Sequence, residues 1–145
     1  WDGYPAARER MFDMIDSGRI TDVVILTGDI HSSWALDVPR DPWTEAYDPK
    51  TASGSRAVEI VTPAVSSPPM FSSQAQRDIA TMLQPLARHL KFLEGDSRGY
   101  VLLDVTPKTL QADWYFVPTV TERTDKEKRA ARFVCERGSS HLIPA

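Results

Sequence analysis

An aspartate and a histidine two residues apart, Asp29 and His31, are the side chains of this chain best suited to chemistry. They follow an apolar run at 23–26 whose β-branched residues predict a strand buried on both faces. Gly28 then allows the backbone to turn. On an extended backbone, residues two apart project to the same side, roughly 7 Å apart, so the carboxylate and the imidazole could converge on one cation.

Two ordinary structural roles are open for the same residues. An aspartate after a glycine at a strand end is often a turn former or a helix N-cap, and a lone histidine is often structural. The position nevertheless favours a ligand site, because ligands of open α/β sheets gather at the carboxyl ends of strands. The sequence contains no nucleophile elbow, phosphate-binding Walker loop or paired-cysteine zinc motif that would compete with it.

Composition limits the classes of protein to which the chain can belong. Its 145 residues suit one domain with a real core, and 41% hydrophobic and 26% charged residues are typical of a globular protein. A net charge of −3 argues against a nucleic-acid-binding surface, and no apolar run predicts a transmembrane segment. The single cysteine, Cys135, excludes an internal disulfide. Because the sequence starts at Trp1 and shows no signal peptide, we expect a piece of a longer protein.

Hydrophobic patterns predict a mixed α/β fold. A helix is expected to start at Pro5 and stop at Gly18, with Ala7, Met11 and Ile15 on its apolar stripe. Further predicted elements are strands over 57–62 and 131–136, a helix over 73–88 that Pro85 kinks or ends, and a β-hairpin of 99–106 with 109–117.

Two segments are predicted to lack regular structure. Residues 35–56, rich in proline, aspartate, serine and threonine, indicate a long surface loop that Trp43 and Tyr47 anchor or that they line as a pocket. Residues 118–130 form a strongly charged stretch, which predicts a solvated surface.

Taken in order, a series of short blocks resembles the alkaline phosphatase D-like (PhoD-like) family of metallophosphoesterases. The blocks are WDGYP at 1–5, LTGDIHSSW at 26–34, EIVTP at 59–63, SSP at 66–68, HLK at 89–91, RGY at 98–100, LDVTP at 103–107 and ADWYF at 112–116. Their common order is more specific than any single block. The resemblance implies that residues 1–145 are the C-terminal part of a catalytic domain with a calcineurin-like αββα sandwich.

The resemblance also implies an activity. Members of the family are secreted hydrolases, extracellular or periplasmic, that cleave phosphate monoesters and diesters with a metal-activated water. Their centre contains ferric iron and calcium, and by this likeness Asp29 and His31 are metal ligands and catalytic residues. The other ligands then belong to an upstream half of the same protein. Two ligands cannot hold two metal ions, so we expect the fragment alone to be inactive.

Weaker assignments follow from the remaining blocks. Trp1, Asp2 and Tyr4 match the start of the family's active-site loop and are candidates for substrate binding, as are His89 and Lys91. A structural turn at residues 1–4 and a packing role for His89 stay open. Residues 66–67 are expected in the pocket wall, and Ser32 is the candidate partner that fixes the tautomer of His31.

Two other functions are compatible with the same sequence. A degenerate metallophosphoesterase domain could bind a phosphorylated ligand or a protein partner without chemistry. Alternatively, the hairpin and the charged segment at 118–130 could form an assembly surface.

Overall fold

Two four-stranded β-sheets pack face to face, and two helices lie against the outer face of the first sheet. This computed structural model describes residues 3–145, except for the side chain of Leu83. In chain order the elements are α1 (Pro5–Gly18), β1 (Val23–Thr27), β2 (Ser33–Pro39), β3 (Ser55–Val61), α2 (Gln74–Leu83), a 3₁₀ turn (Gln84–Leu86), β4 (Leu90–Glu94), β5 (Arg98–Val105), β6 (Thr109–Val117), β7 (Lys128–Glu136) and β8 (Ile143–Pro144).

The first sheet has the strand order β1-β3-β2-β4. Strand β1 pairs in parallel with β3, whereas β2 is antiparallel to both β3 and β4. The ends of β1 and β3 therefore lie at the same edge as the start of β2 and the end of β4. We call this the carboxyl edge of the sheet. The turns at 28–32, 62–73 and 95–97 all leave or enter strands there.

The second sheet, β5-β6-β7-β8, is antiparallel throughout and covers the inner face of the first. The core between the sheets contains Ala35, Val58, Ile60, Leu110, Ala112, Trp114, Phe133, Cys135 and Leu142. Trp114 is fully buried, and its indole N–H donates to the carbonyl of Val61 at 3.1 Å. The predicted α/β class and the predicted hairpin of β5 and β6 are confirmed.

The predicted loop over 35–56 is wrong at its start, because β2 covers residues 33–39. Along β2 the side chains alternate between buried and half-buried, as expected for a strand with one face on the core. The prolines of the segment led to the prediction of a loop. Pro39, however, is the last residue of the strand and lies beside a register shift, where a proline is tolerated. Residues 40–54 form turns. Tyr47 is buried there, whereas Trp43 is exposed.

The prediction that β1 is buried on both faces is also wrong. The strand lies at the end of the strand order, and Val24 and Leu26 on one face are exposed. An apolar run indicates that a segment prefers burial, but it does not show how many of its faces are buried. Within residues 3–145, no strand pairs with the second edge of β1.

The helices follow their sequence signals in most respects. Helix α1 begins at Pro5 and ends at Gly18, as predicted. It buries Ile15 of the predicted stripe and Phe12, which the sequence places beside that stripe, but it leaves Ala7 exposed. Helix α2 begins after a capping box of Ser73 and Gln76 and passes into a 3₁₀ turn that contains Pro85. In residues 3–145, neither helix has the length and apolar character needed to cross a membrane.

The charged segment is exposed, as the sequence predicts, over residues 121–130. Its last residues are already extended, because β7 begins at Lys128, three residues before the predicted strand at Ala131. The first residues of β7 are all exposed and include charged side chains, so the alternation of buried and exposed positions that predicts a strand is absent there.

Candidate metal-ligand site

Asp29 lies at the carboxyl edge in an unusual backbone conformation. Its φ is +76°, and the N–H of Ile30 donates to the carbonyl of Gly28 at 3.0 Å, which makes a γ-turn centred on the aspartate. A non-glycine residue in this region stores roughly 1–3 kcal/mol of strain, a situation typical of functional sites. The extended backbone predicted from the sequence is therefore wrong, and a tight turn presents the carboxylate instead.

His31 is held by a residue far away in the sequence. Its Nδ1 lies 2.8 Å from the carbonyl oxygen of Pro68, and its own φ is +54°. Since a carbonyl can only accept, Nδ1 carries the hydrogen, and in the neutral ring Nε2 keeps its lone pair. This is the arrangement found behind most metal-bound histidines. Ser32 does not fill the predicted role, because its hydroxyl instead accepts a hydrogen bond from the indole of Trp34 at 2.6 Å.

The donors at this turn are suited to a metal ion. The carboxylate of Asp29 is exposed and forms no hydrogen bond or ion pair with any residue of 3–145. It supplies hard oxygen ligands, and His31 supplies an imidazole nitrogen. Across residues 3–145 no three histidine, cysteine, aspartate or glutamate side chains come together in a group that could hold a metal ion. A complete coordination sphere therefore requires donors from elsewhere.

The neighbouring strand ends fix this turn. The hydroxyl of Thr27 donates to the buried carboxylate of Glu59 at 2.6 Å, and the carbonyl of Thr27 accepts from the N–H of Thr62 at 3.0 Å. The N–H of Met70 donates to the carbonyl of His31 at 3.1 Å. The segment 68–70 thus runs beside His31, directly after residues 66–67, whose role in the pocket wall stays a prediction.

Lys91 belongs to a different part of the sheet. Its ammonium lies 3.0 Å from the carboxylate of Asp37, which is fully buried and also accepts from the hydroxyl of Tyr47 at 2.9 Å. The ring of His141 and the N–H of Leu142 complete the contacts of this carboxylate.

This buried cluster is remote from the metal-ligand pair. Ser33, at the start of β2 next to the turn, and Asp37 are four residues apart on the strand, which spans roughly 13 Å over that length. Burial and the neighbouring charge of Asp37 raise the pKa of the Tyr47 hydroxyl, which therefore stays protonated and donates. The structure thus gives Lys91 a protein carboxylate as its partner, and its predicted substrate contact stays a prediction.

The other candidates are scattered. His89 is half-buried, its ring stands edge-on to Trp43 at a centroid distance of 6.3 Å, and its carbonyl accepts from the N–H of Asp37. Its side chain also lines a cavity of about 230 Å³ under α1. Tyr4 is 78% exposed just before α1. Trp1 and Asp2 lie outside the described residues, so their predicted role stays a prediction.

Sequence reasoning missed the residues that support the pair. Pro68 lies 37 positions from His31, and Glu59 lies 32 positions from Thr27. The only local signal was the Ser-Ser-Pro-Pro turn at 66–69, which marks a fixed backbone without showing what it contacts.

Comparison with known proteins places this chain in a family. The chain is 36% identical over 143 residues to alkaline phosphatase D of Bacillus subtilis (strain 168), which covers 98% of this chain and 23% of that protein. A solved structure of PhoD superposes with a TM-score of 0.76 at 32% identity, over 100% of this chain and 26% of the other. The chain therefore spans about a quarter of the length of these relatives. The model of the PhoD-like phosphatase family matches residues 1–114, so the chain belongs to that family, as its sequence blocks indicated.

Proposed function

We propose that this chain forms one part of a metal-dependent phosphoesterase and that Asp29 and His31 are two of its metal ligands. The observation that carries the proposal is the turn itself. It holds a carboxylate with no hydrogen bond or ion pair among residues 3–145 and an imidazole with Nε2 available, on a backbone that is strained at both residues. Strain at two non-glycine positions of one turn is readily understood if the pair serves a ligand.

The substrates we propose are phosphate monoesters and diesters, as in an alkaline phosphatase or phosphodiesterase. On the family resemblance we propose calcium and ferric iron as the cofactors, with Asp29 suited to calcium. When bound, such ions polarise the phosphoryl oxygens and bring the pKa of a bound water towards neutrality. The role of this chain is to orient the ligands. The Pro68 carbonyl holds the ring of His31, and the γ-turn fixes the carboxylate of Asp29.

The remaining ligands would come from the upstream part of the same protein, because two side chains do not complete a coordination sphere. On this view residues 1–145 alone do not turn over substrate. We further propose, from the family resemblance, that the whole protein works outside the cytoplasm.

The test uses the full-length protein and compares two aspartates, one on each side of β1. Asp22 and Asp29 flank this strand, both are exposed, and both have positive φ, at +59° and +76°. We expect Asp29→Asn to lose bound metal, measured by plasma mass spectrometry, and hydrolysis of bis-p-nitrophenyl phosphate by more than the roughly 10–100-fold typical of an outer-sphere loss. Asp22→Asn should retain both.

Two results would contradict the proposal. Metal content and turnover unchanged in Asp29→Asn would remove Asp29 from the ligands. A folded, full-length wild-type protein without metal and without phosphoesterase activity would favour the degenerate binding domain.

A further inference from the structure

The guanidinium of Arg98 lies at the carboxyl edge, close to the metal-ligand pair. Arg98 is the first residue of β5, and its Nε–H donates to the carbonyl of Ser67 at 3.2 Å. The strand start is fixed there as well, because the N–H of Gly99 donates to the carbonyl of Ala64 at 3.0 Å. Arg98 therefore contacts the same segment that holds His31.

The two contacts fall on consecutive residues. Ser67 accepts from Arg98, and Pro68 accepts from His31 at 2.8 Å. Ser67 and Pro68 are adjacent, with Cα atoms about 3.8 Å apart, so the guanidinium and the imidazole are fixed to neighbouring carbonyls of one short segment.

The charge of Arg98 has no carboxylate partner within residues 3–145, although the side chain is half-buried. The other half-buried arginines of residues 3–145 each have one: Arg40 pairs with Asp13, for example, and Arg132 with Asp113.

The nearest acidic residues are already occupied. Glu94 accepts from the backbone N–H groups of Asp96 and Ser97, and Asp96 pairs with Arg77. A guanidinium has five N–H donors in a planar fork, of which the Ser67 carbonyl uses one. The four that remain are suited to an anion with several oxygens.

We propose that Arg98 binds the non-esterified phosphoryl oxygens of the substrate at the Asp29 and His31 site. This inference rests on the proposed function and adds a substrate-binding residue to it. The Ser67 carbonyl orients the fork, and the phosphoryl group supplies the negative charge that residues 3–145 do not. Arg98 thus selects for anionic esters and positions the phosphorus near the ligand turn.

The test measures equilibrium binding of inorganic phosphate to the full-length, metal-loaded protein by calorimetry. We expect Arg98→Gln to weaken phosphate binding by about 10- to 100-fold, the value of a charge-assisted hydrogen bond, with unchanged metal content. Arg98→Lys should keep part of the affinity, because it keeps the charge without the fork. The control is Arg56→Gln at the start of β3, where Arg56 pairs with Asp16. It should stay within about twofold of the wild type.

The glutamine variant distinguishes a role of Arg98 in phosphate binding from a role in holding the segment around Ser67, since the glutamine amide can still donate to the Ser67 carbonyl. Wild-type phosphate affinity in Arg98→Gln would overturn the inference. Loss of metal together with phosphate affinity would overturn it too, because Arg98 would then act by holding the ligand segment. Phosphate binding that depends on Arg98 in a wild-type protein that hydrolyses no ester would refute the proposed function and leave Arg98 as a phosphate-binding residue.

Discussion

Replacing Asp29 by glycine is expected to stabilise the metal-free protein while abolishing its metal site. The carboxylate forms no hydrogen bond or ion pair with another residue of 3–145, so its removal breaks none in this part of the chain. At a φ of +76°, a residue with a Cβ is strained by roughly 1–3 kcal/mol, and glycine relieves that strain. Glycine also makes the unfolded chain more flexible, and this offsets about 0.4–1 kcal/mol of the stability gained from the relief of strain. The net gain in the free energy of unfolding is about 1 kcal/mol.

The matched variant is Asp29→Ala, which removes the same carboxylate and keeps a Cβ. It retains the backbone strain, so it should be less stable than Asp29→Gly by about 1 kcal/mol. The assay is equilibrium urea denaturation of the full-length protein after removal of metal by a chelator. Chelation ensures that lost metal binding does not mask the backbone effect.

Equal stability of the glycine and alanine variants would refute the reasoning. It would mean that the γ-turn at Asp29 stores no strain and that the positive φ has no functional meaning. Metal content, measured in parallel before chelation, should fall in both variants.

Three further predictions concern the core and the second sheet. Lys91→Met should lower the free energy of unfolding by about 3 kcal/mol, because it leaves the buried carboxylate of Asp37 without its cation, and a normal urea midpoint would contradict this. Burial alone would raise the pKa of Asp113, but hydrogen bonds led by that from Arg132 outweigh it and hold the pKa low. The pair of Asp113 and Arg132 therefore stabilises the fold above about pH 4, and this contribution is lost as the pH falls further. Arg132→Met should reduce this dependence of stability on acid pH, measured by urea titrations from pH 3 to 7. Burial raises the pKa of the Cys135 thiol, so iodoacetamide should label it only in urea, and rapid labelling of the native protein would argue against this.

Much of the fold was readable from local patterns. The hairpin of β5 and β6 has a clean period of two, and α1 has a proline at its start and a glycine at its end, so each element carries its own signal. Strand β2 was missed because its buried positions include the polar residues Ser33 and Asp37. Burial therefore alternates along this strand, whereas polarity does not. The period of a strand is visible only when its buried face is apolar.

The candidate site was readable in part for a related reason. The spacing of Asp29 and His31 indicates a ligand pair, but the γ-turn that presents them depends on a backbone bond between Gly28 and Ile30. The partner of His31 is a carbonyl, which any residue could supply, so no side-chain type at position 68 reveals it. Only the fold brings the two segments together.

The exposed edge of β1 gives Asp29 a second physical role. Residues 23–27 contain no charge and no proline, and Val24 and Leu26 are exposed beside an edge that no strand covers within residues 3–145. Such a strand is a template for intermolecular β-pairing and aggregation. The flanking carboxylates of Asp22 and Asp29 repel the same edge of a second molecule and act as gatekeepers.

A ligand residue that is also a gatekeeper connects metal affinity to solubility. A neutral residue at position 29 removes one of the two charges that flank this edge, whatever it does to the backbone. Preparations of such variants are therefore expected to precipitate at lower protein concentration than the wild type, which would make colloidal stability and metal binding depend on the same side chain.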